Sequence, residues 1–273
     1  AHVFRRRLEG GPIEPLVSGG MDNPVEVAIT PEGEKFFTST FLQHPGGGLR
    51  DGIAHAVYGS VFGKDHSVIE GHVRTGPLMP IMTQLGPAAP SGLICLESDR
   101  LVDDRGRSRT LVAALFNLHK LTAHQLVPEG ASYRTLDRDL VVADRVDFHP
   151  TEVIEDADGS LLLIDTGGWY DLCCPTSRID QKTAPGGIYR VSSQRTRQAA
   201  NHIHSVVTLP LALEDATRLV FDVRPWIRRL ASMRIADAGS EAIAHLESLL
   251  GNGRRSLDDR IPALWMLCRI GNP

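Results

Sequence analysis

The stretch HPTEVIEDADGSLLLIDT, residues 149–166, has the pattern of two β-strands joined by a tight turn. Pro150 can open a strand, because at that position the missing N–H of a proline need not break the hydrogen-bond ladder. The sequence DADG at 156–159 supplies a glycine where a hairpin turn needs a positive φ angle. Apolar runs flank this turn on both sides, so the stretch predicts a β-hairpin.

The same pattern occurs twice more along the chain. Pro24, Pro90 and Pro150 lie 66 and 60 residues apart, and each precedes a short strand-like run and then a second apolar run. The earlier copies occupy 23–42 and 89–117. Several strands that recur at a nearly fixed period are typical of β-propeller blades. The sequence therefore predicts a partial β-propeller of about three blades.

The pattern changes near residue 191, where glycine, proline and β-type runs give way to helical spacing. We predict the partial propeller at 1–191, a linker with a first helix at 192–213 and incomplete HEAT-like repeats at 214–273. Arg224 and Arg260 occupy equivalent places in two segments 36 residues apart, close to the HEAT period. The predicted fold class is mainly β with an α C-terminal part, an α-solenoid.

End signals locate the helices of this second part. Ser240 and Gly251 are predicted as the N-cap and C-cap of one helix. A capping-box pattern at Ser256 predicts another helix that stops at Gly271. Pro225 is expected to interrupt the apolar helical pattern around it.

Composition restricts the partners. The 273 residues are 42% hydrophobic and 23% charged with a formal net charge of −4, which favours neither nucleic acid nor an anionic membrane as a partner. No apolar run approaches the roughly 18 residues of a membrane span. The chain starts and stops inside predicted modules, so the sequence predicts an internal piece of a longer protein that does not fold stably alone.

The four cysteines exclude some redox and metal chemistry. None forms the Cys-x-x-Cys spacing of a zinc site or the Cys-x-x-Cys-His motif of c-type haem attachment. Cys173 and Cys174 are adjacent, and a vicinal disulfide, two thiols and bonds to other segments all stay open. The acidic turn at 156–159 is a plain turn or the start of a calcium loop, and the apolar run after it favours the turn. No metal site is predicted.

Longer motifs carry a family resemblance. GGPIEPLVSGGMDNPVEVAITPEGEKFF at 10–37 and DFHPTEVIEDADGSLLLIDTGGWYDLCCPTS at 147–177 resemble the PVC-type haem-binding, or "membrane-bound dehydrogenase", family. Those extracytoplasmic, often periplasmic proteins join a glucose/sorbosone dehydrogenase-like propeller to HEAT repeats and a c-type haem domain. The resemblance implies oxidation of a sugar or polyol by pyrroloquinoline quinone, with the haem in a domain outside this chain.

The hairpin geometry predicts one polar end of the blades. His149 is expected to face Thr166, with Asp165 beside it, because the start of the first strand lies next to the end of the second. By the same rule, Pro90 is expected to face Phe116 and Asn117. Asn23 is expected near Gln43 and His44. A ligand face is therefore predicted at this end.

Catalytic residues are predicted there. His149 beside Asp165 has the residue types to take a proton from a sugar hydroxyl, and Arg50 has the charge to polarise a quinone carbonyl. In an alternative interpretation, His149 only caps a strand by bonding a backbone carbonyl. The predicted cofactor-binding residues are Asn23, Asn117, His119, Lys120 and Trp169; stacking of Trp169 between blades is equally compatible with the sequence.

The resemblance departs from sugar dehydrogenases at one strand. Those propellers place an arginine-rich segment where this chain has FHPTEV, residues 148–153. Two hypotheses follow. The chain is part of a quinone-dependent sugar or polyol dehydrogenase, or it is a non-catalytic propeller with a HEAT scaffold that binds a carbohydrate or protein partner. The remaining blades and the haem domain of the parent chain are expected partners.

Overall fold

The computed structural model describes residues 1–41, 49–63, 69, 71, 73–98, 101, 109–169, 179–180, 183–194, 196–197, 211–222 and 224–271. These residues form separate β-sheets followed by α-helices, which confirms the predicted mainly β fold with a helical C-terminal part. The chain divides into two compact units. The first comprises Ala1–Leu96, Arg105–Ile154 and Leu162–Arg190, and the second comprises Glu97–Asp104, Glu155–Leu161 and Val191–Pro273.

Fourteen strands belong to the described part of the chain. They are β1 (His2–Arg5), β2 (Glu14–Gly20), β3 (Val27–Ile29), β4 (Lys35–Thr40), β5 (Asp51–His55), β6 (Ser60–Gly63), β7 (Thr83–Gly86), β8 (Pro90–Cys95), β9 (Thr110–Leu115), β10 (Lys120–Glu129), β11 (Ser132–Val142), β12 (Pro150–Glu155), β13 (Leu161–Asp165) and β14 (Gly187–Val191). Their sheets have the orders β1-β2-β6, β3-β4-β5-β7, β11-β10-β9-β8 and β12-β13-β14. Two four-stranded sheets in nearly sequential order are consistent with blades of a partial propeller.

The three repeated segments form hairpins. β3 pairs antiparallel with β4, β8 pairs antiparallel with β9, and β12 lies beside β13. Pro90 and Pro150 open their strands, whereas Pro24 lies three residues before β3. In the turn after β12, the Asp156 N–H donates to the Ser160 carbonyl at 2.7 Å and the Gly159 N–H to the Asp156 carbonyl at 2.9 Å. That segment is therefore a hairpin turn.

Alternation along β4 explains how the sheets of the first unit pack. Phe36 and Phe37 point to opposite faces of the sheet, and each is fully buried. Phe36 packs in a cluster with Ile53 and with residues of β8 and β9. Phe37 packs in a second cluster with residues of β2 and β6. Strand β4 of the second sheet is thus covered on both faces, as in a blade between two neighbours.

The helices whose bounds the structure describes are α1 (Leu213–Leu219), α2 (Pro225–Ala238), α3 (Ile243–Gly251) and α4 (Leu257–Ile270). Pro225 occupies the first turn of α2, where its missing N–H is not needed, so it begins a helix instead of interrupting one. Ser240 was predicted as an N-cap but lies inside a short 3-10 helix, Gly239–Ala242. Gly251 is the last residue of α3, and Asn252 takes the capping position.

One core cluster holds the helices together. It includes Ala231, Ile235, Leu246 and Ala263, all fully buried. Residues 227 and 263 are both fully buried, and their separation of 36 positions equals that of Arg224 and Arg260. The assignment of these helices to HEAT repeats stays a prediction.

Among the described helices, none has both the length and the apolar composition that crossing a membrane requires.

Candidate functional site

The open ends of three hairpins lie side by side in the first unit. β4 ends at Thr40, and β5 begins at Asp51 at the same end of the second sheet. The Ala89 N–H at the start of the third sheet donates to the Asp51 Oδ2 atom at 2.8 Å. The Phe116 ring at the end of β9 stacks on the His149 ring at the start of the fourth sheet, with 4.5 Å between centroids. The ends of the second, third and fourth sheets that carry predicted site residues are therefore in direct contact.

Asp51 fastens the second sheet to the third. The carboxylate is fully buried, and its Oδ1 atom accepts a hydrogen bond from the Thr40 hydroxyl at 2.7 Å. The Arg50 Nη1 atom lies 3.3 Å from the Asp51 Oδ2 atom. The Arg50 Nε atom is also buried and has no hydrogen-bond partner within the described residues. Arg50 therefore keeps one buried donor that a ligand anion or carbonyl could satisfy.

His149 is buried and fixed by its own hairpin. Its carbonyl accepts a hydrogen bond from the Thr166 N–H at 3.1 Å, which confirms the predicted facing pair. Its ring Nδ1 atom donates to the Gly167 carbonyl at 2.8 Å. This is the kind of bond that the alternative interpretation, in which His149 caps a strand, predicts. The Asp165 Oδ1 atom accepts the backbone N–H groups of His149 and Gly167, each at 2.8 Å. Through its Oδ1 atom, Asp165 therefore holds the backbone of this hairpin, and the pairing of its carboxylate with the imidazole ring stays a prediction.

His119 presents a second imidazole at the same place. Its ring lies edge-on to the His149 ring at 5.2 Å, and its Nδ1 atom donates to the Phe148 carbonyl at 2.8 Å. A carbonyl accepts only, so Nδ1 carries the proton, and in the neutral ring Nε2 is the basic nitrogen. His119 is half-buried whereas His149 is 1% exposed, so a substrate reaches His119 more easily.

Backbone strain collects at this end of the sheets. Three non-glycine residues in the described part have positive φ angles: Asn23 at 47°, Ala89 at 45° and His119 at 55°. All three lie at the ends that carry Arg50 and His149. Such conformations are costly outside glycine and cluster at functional sites. Their clustering supports a ligand face here.

Lys120 and the asparagines have different surroundings. The Lys120 Nζ atom donates to Asp139 at 2.7 Å, on the rim of a groove of about 330 Å³ between β7 and β10–β11. Asn117 is buried, and its N–H donates to the Ala88 carbonyl at 2.9 Å. The chain before Asn23 pairs through Asp22 with Thr40.

Two register expectations need correction. The register of the first hairpin shifts between β3 and Asp22, so Asn23 lies opposite the end of β4 and the expected neighbours, residues 43–44, fall outside the described residues. Pro90 pairs with Leu115, one position before the predicted Phe116, whose N–H donates to the Ala89 carbonyl at 3.3 Å. Trp169 ends a short 3-10 helix, and its side chain lies outside the described part.

Two glutamates of different sheets lie close enough for their charges to interact. Burial raises the pKa of Glu152 on β12, and the charge of Glu26 raises it further, against a hydrogen bond from the Val153 N–H. The sequence showed no signal for this pairing, because the two glutamates lie more than a hundred residues apart.

Two hydrogen-bonded groups, each of a hydroxyl, an imidazole and a carboxylate, lie elsewhere in the first unit and were not predicted. His55 contacts Ser132 at 3.1 Å and Glu34 at 2.9 Å. His124 contacts Thr122 at 2.7 Å and Asp137 at 2.8 Å. His124 also lowers the pKa of Asp137: burial opposes ionisation of that carboxyl, and the hydrogen bonds from His124 and Thr135 outweigh it.

The described thiols and acidic groups suggest no metal site. Cys95 and Cys268 are free thiols, and Cys173 and Cys174 lie outside the described residues. No group of three histidine, cysteine or acidic side chains is arranged to hold a metal ion in the described part.

The chain is similar in structure to glucose dehydrogenase-like oxidoreductases. An oxidoreductase (glucose dehydrogenase) of Thermus thermophilus has 18% identity and a TM-score of 0.43, over 62% of this chain and 45% of that one. A second glucose dehydrogenase structure has 16% identity and a TM-score of 0.40, over 63% and 45%. The chain thus spans less than half the length of either structure. No family model matches it, and no curated relative is similar to it.

Proposed function

We propose that the chain is part of a sugar or polyol dehydrogenase-like protein, and that the open ends of its sheets bind the polyhydroxylated substrate. The supporting observation is the cluster in which His119, His149 and Phe116 meet beside the strained residue Ala89. A sugar offers hydroxyl donors and acceptors, and this surface offers imidazole nitrogens and the Arg50 guanidinium. The imidazoles and the guanidinium belong to residues at strand ends, and buried hydrogen bonds hold these strand ends in place.

Proton transfer is the chemistry that these residues supply. The Phe148 carbonyl holds the Nδ1 proton of His119, so the Nε2 atom takes the proton of a substrate hydroxyl. His149 stacks on Phe116 and contacts the His119 ring edge-on, which keeps the His119 ring oriented. We therefore assign the base to His119 and a positioning role to His149, which reverses the order expected from the sequence. Asp165 fixes the backbone of the His149 hairpin.

The described residues do not fit pyrroloquinoline quinone well. The cofactor carries three carboxylates and needs several cations, as anionic ligands do. Lys120 is paired with Asp139, and Arg50 is partly paired with Asp51. Only the buried Arg50 Nε atom fits a carboxylate or a quinone oxygen. The electron acceptor stays a prediction of the family resemblance, as do the c-type haem domain and the extracytoplasmic location.

Replacement of His119 by asparagine tests the proposed base. Asparagine tolerates a positive φ angle and keeps an N–H donor for the Phe148 carbonyl, but it cannot accept a proton. We expect sugar-dependent dye reduction, with and without added quinone, to fall about 10²–10⁴-fold, the usual contribution of a general base. His245→Asn, on the exposed surface of α3, is the matched control and should leave the rate unchanged.

A non-catalytic carbohydrate-binding propeller is the second candidate. The observation that favours it is the engagement of the Asp165 Oδ1 atom with the backbone N–H groups of His149 and Gly167, which is a structural role in the hairpin. A panel of sugars and glycans separates the two functions by calorimetry and dye reduction. Glycan binding without any turnover of the panel would overturn the dehydrogenase proposal.

A further inference from the structure

The last helix of the chain carries an apolar stripe on its exposed side. Leu257 is 70% exposed, Leu264 46% and Trp265 44%; Cys268 is exposed and Ile261 is half-buried. With 3.6 residues per turn, these five positions lie within an arc of about 100° on α4. We call them the α4 stripe. Apolar side chains at this helical spacing are the pattern by which a helix packs against a neighbour.

The opposite side of α4 already has its neighbours. Ala263 is fully buried, and Met266, Leu267 and Ile270 pack on the helical core. The α4 stripe is therefore a second apolar face, which the core of this unit does not need. Burial of apolar area stabilises a protein by about 25 cal/mol per Å². A partner that buries the α4 stripe would therefore be bound favourably.

The spacing of the stripe indicates what covers it. Leu257 and Cys268 lie equally far from the midpoint of the stripe, and Ile261 and Leu264 do so as well. An antiparallel copy of the same helix thus places four of the five residues opposite one another, and Trp265 opposite Arg260. We propose that α4 pairs antiparallel with α4 of a second copy of this chain, a symmetric contact in which Leu257 faces Cys268 and Ile261 faces Leu264 of the other copy.

Helix dipoles favour the same direction. An antiparallel pair of α4 helices opposes the two dipoles, so the positive end of each lies beside the negative end of the other. The helix has 14 residues, a length of about 21 Å. One such pair buries less than the roughly 1,200–2,000 Å² of stable interfaces, so the dimer is weak and depends on concentration.

Sedimentation equilibrium of the 273-residue chain, over a hundredfold range of concentration, tests the pairing. We expect the wild type to shift from monomer towards dimer, and Leu264→Glu to remain monomeric at every concentration. Met233→Glu is the matched control, because Met233 is 59% exposed on α2 and lies outside the stripe. Circular dichroism verifies that each variant keeps its helices. A wild type that stays monomeric, or a dimer that Leu264→Glu leaves intact, overturns the proposal.

Disulfide cross-linking tests the register without removing an apolar side chain from the centre. With Cys95, Cys173 and Cys174 replaced by serine, Leu257→Cys leaves thiols only at 257 and 268. Within one helix these positions are about 16 Å apart, too far for a disulfide, so oxidation can link only two chains. We expect covalent dimers that disappear when Cys268 is also replaced by serine. Their failure to form at concentrations where the chain dimerises contradicts the antiparallel register.

Discussion

Gly92 lies where the first strands of two neighbouring sheets, β8 and β12, come closest. A Cβ atom built on Gly92 would be 2.8 Å from the Cα atom of Glu152 and 3.0 Å from the backbone nitrogen of Val153. Both are backbone atoms, so neither moves without displacing a strand. The absence of a side chain at this position therefore sets how closely the two sheets approach.

We expect Gly92→Ala to lower the free energy of unfolding by about 1–3 kcal/mol, the usual cost of overpacking. Urea denaturation followed by fluorescence measures the change. Gly76→Ala is the control, because a Cβ atom there meets nothing within 4 Å. Equal stability of the two variants would contradict this expectation, because it would show that β12 accommodates the added Cβ atom without loss of stability.

At the scale of residues, the sequence predicted that His149 faces Thr166 and, in the alternative interpretation, that it bonds a backbone carbonyl, but not which carbonyl. The hairpin pattern sets which backbone groups face each other, so the pairing with Thr166 was predictable. The ring direction depends on the Gly167 carbonyl, and Gly167 adopts a φ of +59° in a turn packed against Ala184 and Gly186. That turn is a tertiary feature without a signature in the residues around His149.

The start of α2 depends on one carboxylate. The Asp222 oxygens accept hydrogen bonds from the Arg224 side chain, twice at 2.7 Å, and from the Arg224 N–H at 2.9 Å. Burial opposes ionisation of Asp222, but these bonds from Arg224 outweigh it and lower the pKa of Asp222. The pair therefore stabilises the helix start only when Asp222 is ionised.

We expect Asp222→Asn to lower the free energy of unfolding by about 1–3 kcal/mol at neutral pH, because the buried Arg224 loses its charged partner. A depressed pKa in the folded state means that the wild type loses this stability as the pH falls through that pKa. The two proteins should therefore converge below about pH 4. Denaturation curves at several pH values check this, and a constant gap down to pH 2 would refute the assignment.

Asp215→Asn is the control for that experiment. Asp215 pairs with Arg218 on the exposed surface of α1, where such pairs contribute little. Its replacement should change stability far less than that of Asp222.

At the scale of elements, types were predictable and some boundaries were not. The three hairpins and the helix that ends before Gly271 follow from periodicity and turn residues. The helix after Ser240 starts later than its capping signal indicated, because Gly239 ends α2 at a φ of +56° and the chain first forms a 3-10 turn. Local signals compete at such junctions, and packing decides between them.

For the molecule as a whole, one surface of the second sheet remains uncovered. Val27 on β3 pairs with Phe37, which pairs with Ala54, so all three share one face. Residues of β2 and β6 bury Phe37 and Ala54 completely. Val27 remains 38% exposed, and its neighbours Val25 and Ile29 are 54% and 59% exposed. The three-stranded first sheet therefore covers two strands of its neighbour and leaves β3 bare.

This surface and the α4 stripe bear on the prediction that the isolated chain does not fold stably. We expect dilute samples, in which the proposed dimer is dissociated, to melt broadly in scanning calorimetry, because both apolar surfaces face water. A single sharp transition with equal calorimetric and van't Hoff enthalpies would contradict this expectation.

The residues that precede Pro90 and Pro150 have a consequence for evolution. Ala89 and His149 each donate a backbone N–H to a buried carboxylate, Asp51 in one case and Asp165 in the other. Every amino acid except proline has that N–H, so the carboxylate does not constrain the side chain. Selection can therefore replace an alanine by a histidine at such a position without giving up the anchor. The backbone atoms that hold the strands are thus separate from the side chains that face the proposed ligand site. The side chains on this rim can therefore change without loss of the anchoring hydrogen bonds.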